Sequence, residues 1–258
     1  KINGYLHNHI RMWFASIWIF TLKLPWQLGA DFFMQNLLDG DPASNTLSWR
    51  WSAGIQTKGK NYIARKSNIE KYSSIKLKSN EILEENALPL LENKDYKISN
   101  LKINKISNNS DILNIIIPTD EINILKDLNI NKCNAFGGYP KEDYNDHNFS
   151  NKILDHIKNL VLSCYKDDNF YSNIEIETSF DNYYRDLDNW IVKNNIKIIH
   201  LPYVTQGNWK KIYKKIIKKY PNINFIKFNR NYDINSWIYS KKGYFKFKQN
   251  IPKIIKNL

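Results

Sequence analysis

Residues 39–51 read DGDPASNTLSWRW and bring two carboxylates, an amide and two indoles around a Gly-Asp-Pro break. Asp39 and Asp41 can accept hydrogen bonds, Asn45 can donate and accept, and Trp49 and Trp51 offer large flat rings. Upstream, Asn8, Arg11 and Met12 fall on neighbouring turns of one helical pattern and add an amide, a guanidinium and a soft thioether. Each residue has an ordinary explanation too. Asp39 is an acid near a helix end, Asn45 caps whatever follows, and tryptophans on a helix are commonly core. It is the joint arrangement, with Trp26 between the two clusters, that calls for a chemical reading.

The elements that hold these groups follow from patterning. Ile10, Trp13, Phe14, Ile17 and Trp18 recur at three-and-four spacing, which predicts a helix with one apolar face. The longest apolar run, Met12–Leu22, is interrupted by Ser16 and Thr21 and falls short of the roughly 20 residues of a membrane span, so a buried helix is expected. Gln27–Leu38 repeats the helical pattern until Gly40 and Pro42 stop it. Residues 1–72, which hold five of the eight tryptophans, are therefore expected to be helical. Residues 73–108 are polar around a patch ALPLL and read as a connecting segment. From Asp111 the period changes, and the short runs ILNIIIPTD, NIEIET, IKIIHLPY and NINFIKFNR alternate with amphipathic stretches such as SNKILDHIKNLVLSCY and NWKKIYKKIIKKY. That alternation predicts, over residues 109–258, an α/β domain with a mainly parallel sheet. A ligand of that domain would lie at the carboxyl ends of its strands, near Pro118–Glu121 and Pro202–Asn208. TQGNW lacks the glycines of a dinucleotide fingerprint, so no second cofactor is expected.

Lys and Arg number 38 against 25 Asp and Glu, a formal +13 that suits a polyanionic partner such as nucleic acid. The abundance of Ile, Asn and Lys is also what an AT-rich coding bias produces, so charge alone does not choose the partner. The two cysteines, Cys133 and Cys164, make neither a disulfide framework nor a zinc pattern. They are expected to be core residues of a cytoplasmic protein with no metal and no membrane span. The chain opens on Lys1, already at the approach to a helix, and reads as a fragment of a longer protein, expected to be a monomer.

The segments HNHIRM (residues 7–12), Trp26 and FFMQNLLDGDPASNTLSWRW (residues 32–51) resemble, in residue type and spacing, the flavin-binding core of the photolyase/cryptochrome family. The resemblance implies a mixed architecture: an all-α photolyase-type FAD-binding segment followed by the α/β domain, whose tail is faintly similar to the family's antenna-type domain. It implies FAD as cofactor, with Asn8, Arg11, Asp39, Asp41 and Asn45 binding it. Arg11 and a buried Asp39 would pair beside the ring, and Asn45 would sit at the flavin N5. Trp26 and Trp49 would pass electrons, and Asn8, Met12 and Trp51 would contact a lesion flipped out of DNA. Asn8 and Met12 stand where enzymes of the 6-4 lesion carry histidines, so the implied activity is light-driven repair of cyclobutane pyrimidine dimers. The partner is then DNA containing ultraviolet lesions; the alternative is a cryptochrome-like blue-light sensor. Arg50, Lys58, Lys60, Arg65 and Lys66 would supply a basic rim.

Overall fold

The computed structural model describes residues 2–78, 80, 82–94, 96, 104, 112–130, 132–145, 148–166, 168–171 and 174–256. The chain divides into two compact units, Lys1–Asp95 with His147–His156, and Tyr96–Asp146 with Ile157–Leu258.

In the first unit α1 spans Asn8–Ser16, α2 Trp26–Asn36, α3 Pro42–Ser52 and α4 Lys66–Tyr72. The apolar run from Met12 does not stay one regular helix. After Ser16 the coil widens into a π-helical turn, Ile17–Thr21, closed by the Leu22 N–H on the Ile17 carbonyl at 2.8 Å. The wider turn buries Ile19 and Phe20 while Leu22 stays exposed, and Lys23 ends the coil in a left-handed conformation at φ 54°. The single apolar face expected of α1 is divided as well. Phe14 and Trp18 pack on the core of Ala15, Phe33 and Trp49, whereas Trp13 joins Ala64 and Ile69, and Ile10 is exposed. The periodicity is real, but two neighbouring clusters share it.

Glycine sets the approach of α2 to α3. A Cβ on Gly29 would stand 2.2 Å from the Trp49 ring, so only a bare backbone lets that indole lie against α2. Residues 83–92 run along the helices. The Glu84 N–H donates to Thr21 Oγ1 at 3.1 Å, Leu90 N–H to the Ala53 carbonyl at 2.9 Å, and Asn61 Nδ2 to the Ala87 carbonyl at 2.9 Å. Of the segment read as connecting, residues 79, 81, 95, 97–103 and 105–108 lie outside the described residues.

The second unit is a five-stranded sheet: β1 (Leu113–Ile116), β2 (Cys133–Gly138), β3 (Glu175–Ser179), β4 (Ile198–Pro202) and β5 (Asn224–Phe228). Every pairing is parallel and the order is β3-β2-β1-β4-β5. Between the strands come α5 (Ile124–Asp127), α6 (Lys141–Asn145), α7 (Asn151–Cys164), α8 (Asp168–Tyr171), α9 (Tyr183–Lys193) and α10 (Asn208–Lys219). Three further helices follow β5: α11 (Asn231–Trp237), α12 (Tyr244–Lys248) and α13 (Ile251–Lys256). Leu113, Ile115 and Ile117 pack with Ile124, Leu125 and Tyr171. The alternate residue set faces the other way: Phe136 meets Tyr183 at 5.1 Å and Trp190 at 5.6 Å on α9. Patterning missed β2 because CNAFGG is poor in β-branched residues. Its glycines serve close packing. A Cβ on Gly138, φ 98°, would fall 1.9 Å from the Ser179 carbonyl oxygen of β3. Cys133 is buried, which pushes its thiol up to about 12, but Cys164 is only partly buried and donates to Asn123 Oδ1 at 3.0 Å, a correction to its expected place in the core.

Candidate functional site

The site is built where α1, the α2–α3 turn and α3 meet. Gly4, at φ 64°, leaves room for the Leu38 side chain, and its carbonyl accepts the Leu38 N–H at 2.9 Å, which holds the turn carrying Asp39. Arg11 reaches that turn from α1. Its Nη2 donates to both Asp39 oxygens at 3.0 and 2.9 Å, while Nε donates to the Leu6 carbonyl at 2.6 Å. The guanidinium is thus fixed from two directions, 28 residues of sequence away from its carboxylate. Asp39 is not buried, contrary to expectation: its side chain is 56% exposed against 23% for Arg11, because it stands in a turn whose neighbours Gly40 and Asp41 are exposed too. A pair this open adds about 0–1 kcal/mol to stability, so it positions charge more than it holds the fold.

Asp41, not Asn45, caps α3. Its Oδ1 accepts the Ser44 N–H at 2.6 Å, and Pro42 occupies the first helical turn, where no donor is needed. Asn45 lies one turn inside the helix, and its Nδ2 donates to the Ala30 carbonyl of α2 at 2.7 Å. That bond orients the amide and leaves it a second N–H and an acceptor oxygen.

Trp49 is 1% exposed, set among Phe33 at 5.0 Å and Phe14 and Trp18 at 6.2 Å, and its indole N–H is buried with no acceptor among the described residues. Trp26 packs on the same core and lies 5.8 Å from the Arg50 guanidinium. Arg50 is buried and held by Glu92 at 3.0 and 2.6 Å, so it is not part of a basic rim. Sequence reading missed Gly29 and Glu92; a glycine inside a helical pattern was the available signal for the first.

Trp51 is 40% exposed and packs at 5.8 Å on Tyr62. Asn8 is exposed at the start of α1, with Met12 partly buried one turn on. No hydrogen bond or ring contact among the described residues joins Trp51 to Asn8 or Met12. His9 lies between Trp13 at 4.6 Å and Tyr72 at 5.5 Å, tilted against both rings.

In the second unit the carboxyl ends of β1 and β4 are neighbours, with Ile115 opposite His200. There the Thr119 hydroxyl joins Tyr144 at 2.9 Å and accepts the Trp209 indole N–H at 2.7 Å. Arg230 contacts Glu121 at 2.9 Å, Asp127 at 3.2 Å and Asp233 at 2.8 Å. Burial, with surplus negative charge around one guanidinium, pushes Glu121 up to about 7. A carboxylate whose folded value stands above its ordinary 4.5 favours the fold at low pH and loses that contribution as pH rises towards 7. Unfolding of this unit is therefore expected to grow easier between pH 5 and 8 by on the order of 2 kcal/mol, and Glu121→Gln to flatten that slope. Urea melts at the two pH values measure it; an unchanged slope in the variant rules Glu121 out.

Among the described residues no helix is long and apolar enough to cross a membrane, and no cluster of three His, Cys, Asp or Glu could hold a metal.

An arginine–aspartate pair, an oriented amide with spare bonding capacity and a tryptophan-rich helical core thus stand together in the first unit. The model of the FAD binding domain of DNA photolyase matches residues 1–81. Deoxyribodipyrimidine photo-lyases are similar over short stretches: that of Streptomyces griseus is 46% identical over 54 residues, that of Salmonella typhimurium 43% over 54 and that of Escherichia coli 41% over 54. The match takes in 21% of this chain and 12%, 11% and 11% of those relatives, respectively. No solved structure matches. Residues 1–81 belong to the DNA photolyase family, and FAD is the cofactor of this region.

Proposed function

We propose that the chain contributes the end of the helical FAD-binding domain of an enzyme that repairs cyclobutane pyrimidine dimers in DNA with light. The observation that carries this reading is the Arg11–Asp39 pair: a bidentate contact worth little for stability, held by Leu6 and Gly4 next to the helix that bears Asn45. When bound, reduced FAD supplies the electron that splits the dimer and regains it afterwards.

The chain's own residues hold and shield. Arg11 keeps a fixed positive charge at the cofactor, and Asp39 keeps that guanidinium in place. Asp41 would offer the cofactor its acceptor capacity beyond the capping bond, and Asn8 would add an amide. Asn45, which keeps one N–H and its oxygen free of the Ala30 bond, would hold the cofactor by donating to it or accepting from it. Trp26 and Trp49 are the oxidisable rings. The Arg50 charge beside Trp26 would make that ring harder to oxidise, and Glu92 offsets it. Trp51, Met12 and Asn8 offer a flat, a soft and a hydrogen-bonding surface to flipped pyrimidines. The test is repair by the full-length protein: under blue or near-ultraviolet light it is expected to return dimers in an oligonucleotide to pyrimidines, with none restored in the dark. Flavin-loaded protein that restores none in light overturns the reading.

A further inference from the structure

The last helices of the α/β unit carry a feature that the flavin site does not use. Residues 239–256 read YSKKGYFKFKQNIPKIIK, with six lysines and no carboxylate. Gly243, at φ 78°, turns the chain into α12, which presents two adjacent rings to solvent: Tyr244 is 65% and Phe245 80% exposed, their centroids 5.5 Å apart. Lys246, Lys248, Lys253 and Lys256 are exposed around them, and the partly buried Phe247 and buried Ile254 face inward. The acid on neighbouring α11, Asp233, is taken by Arg230 at 2.8 and 3.2 Å and does not offset the lysines.

We infer that this surface docks single-stranded nucleic acid, Tyr244 and Phe245 stacking on bases and the lysines meeting phosphates. Charge complementarity selects a polyanion, and the rings select one with flat apolar faces. A merely solvated basic face would not need two neighbouring rings in water. A membrane-surface helix would need an apolar stripe over several turns, whereas α12 has five residues and α13 six. Duplex DNA keeps its bases stacked, so it engages the lysines without the rings.

The inference is independent of the repair reading, and the experiment separates them. The full chain is titrated in the dark with a fluorescent single-stranded dA oligonucleotide of about 15 nucleotides, its duplex, and phosphatidylserine vesicles. Preference for the single strand is expected. Tyr244→Ala with Phe245→Ala should weaken it about tenfold or more, while Tyr244→Phe retains it. Lys246→Gln with Lys248→Gln should lower the salt dependence by about one to two released counterions. No single-strand binding by the parent, binding unaffected by loss of both rings, or preference for vesicles each overturns it.

Discussion

Trp49→Ala is expected to destabilise the helical unit by about 3–5 kcal/mol, and Trp49→Phe by only about 1–2 kcal/mol. The indole is 1% exposed and touches rings from the coil of α1 and from α2, so alanine empties a space that three aromatic neighbours cannot refill. Phenylalanine keeps most of that volume, and it sacrifices no hydrogen bond, since the indole N–H has no acceptor among the described residues. Leaving such a donor buried costs about 1–3 kcal/mol, which makes this tryptophan a poor choice for packing alone. Under the proposed function the ring is retained because it is oxidisable. Trp49→Phe in the full-length protein should then hold its flavin yet slow light-driven reduction of oxidised FAD. Gly29→Ala approaches the same contact from the other side: its methyl would press on the ring at 2.2 Å and cost about 1–3 kcal/mol. Chemical denaturation and photoreduction kinetics are the measurements. If Trp49→Phe unfolds like Trp49→Ala, or photoreduces at the parent rate, the ring is core and nothing more.

Trp51→Ala should weaken binding of dimer-containing DNA by the full-length protein about ten- to a hundredfold while scarcely changing affinity for undamaged duplex. Trp51 is 40% exposed with one face on Tyr62, so a flat surface stays available to a flipped base. Affinity for intact duplex rests on phosphate contacts, which this change leaves alone, provided ionic strength is fixed. Half-exposure also means that alanine removes little packing, and the fold should survive. A parent that binds damaged and intact DNA alike, and restores no pyrimidines in light, would favour the sensor reading over repair.

The helices around the site were legible because amphipathic periodicity and Pro or Gly stops are local signals. Gln27–Leu38 was expected and Trp26–Asn36 is observed. The same holds for the strands rich in Ile, of which β1 and β4 are buried inside the sheet while β3 and β5, at its edges, are largely open. Other features were not legible. The strand at Cys133–Gly138 depends on what its glycines meet across the sheet, and the division of α1 between two clusters depends on which helices arrive on each side. Among the site residues, Arg11 and Asp39 are brought together across the turn, as the resemblance implied, but at the surface, because exposure follows from the shape of the turn and not from residue type. Arg50, read as part of a basic rim, is a buried group with its own carboxylate.

Residue types and spacing along the chain determined the chemistry on offer: an arginine, four carboxylates or amides and three tryptophans, all within the residues that match the FAD binding domain of DNA photolyase. Such an order is written in one dimension and survives without knowledge of neighbours. Tertiary structure decided which of those groups have partners left to find. Asn45 donates one N–H to Ala30, Asp41 accepts from Ser44, and Trp49 has no acceptor among the described residues, because hydrogen bonds and burial are set by atoms that only packing brings within about 3 Å of each other.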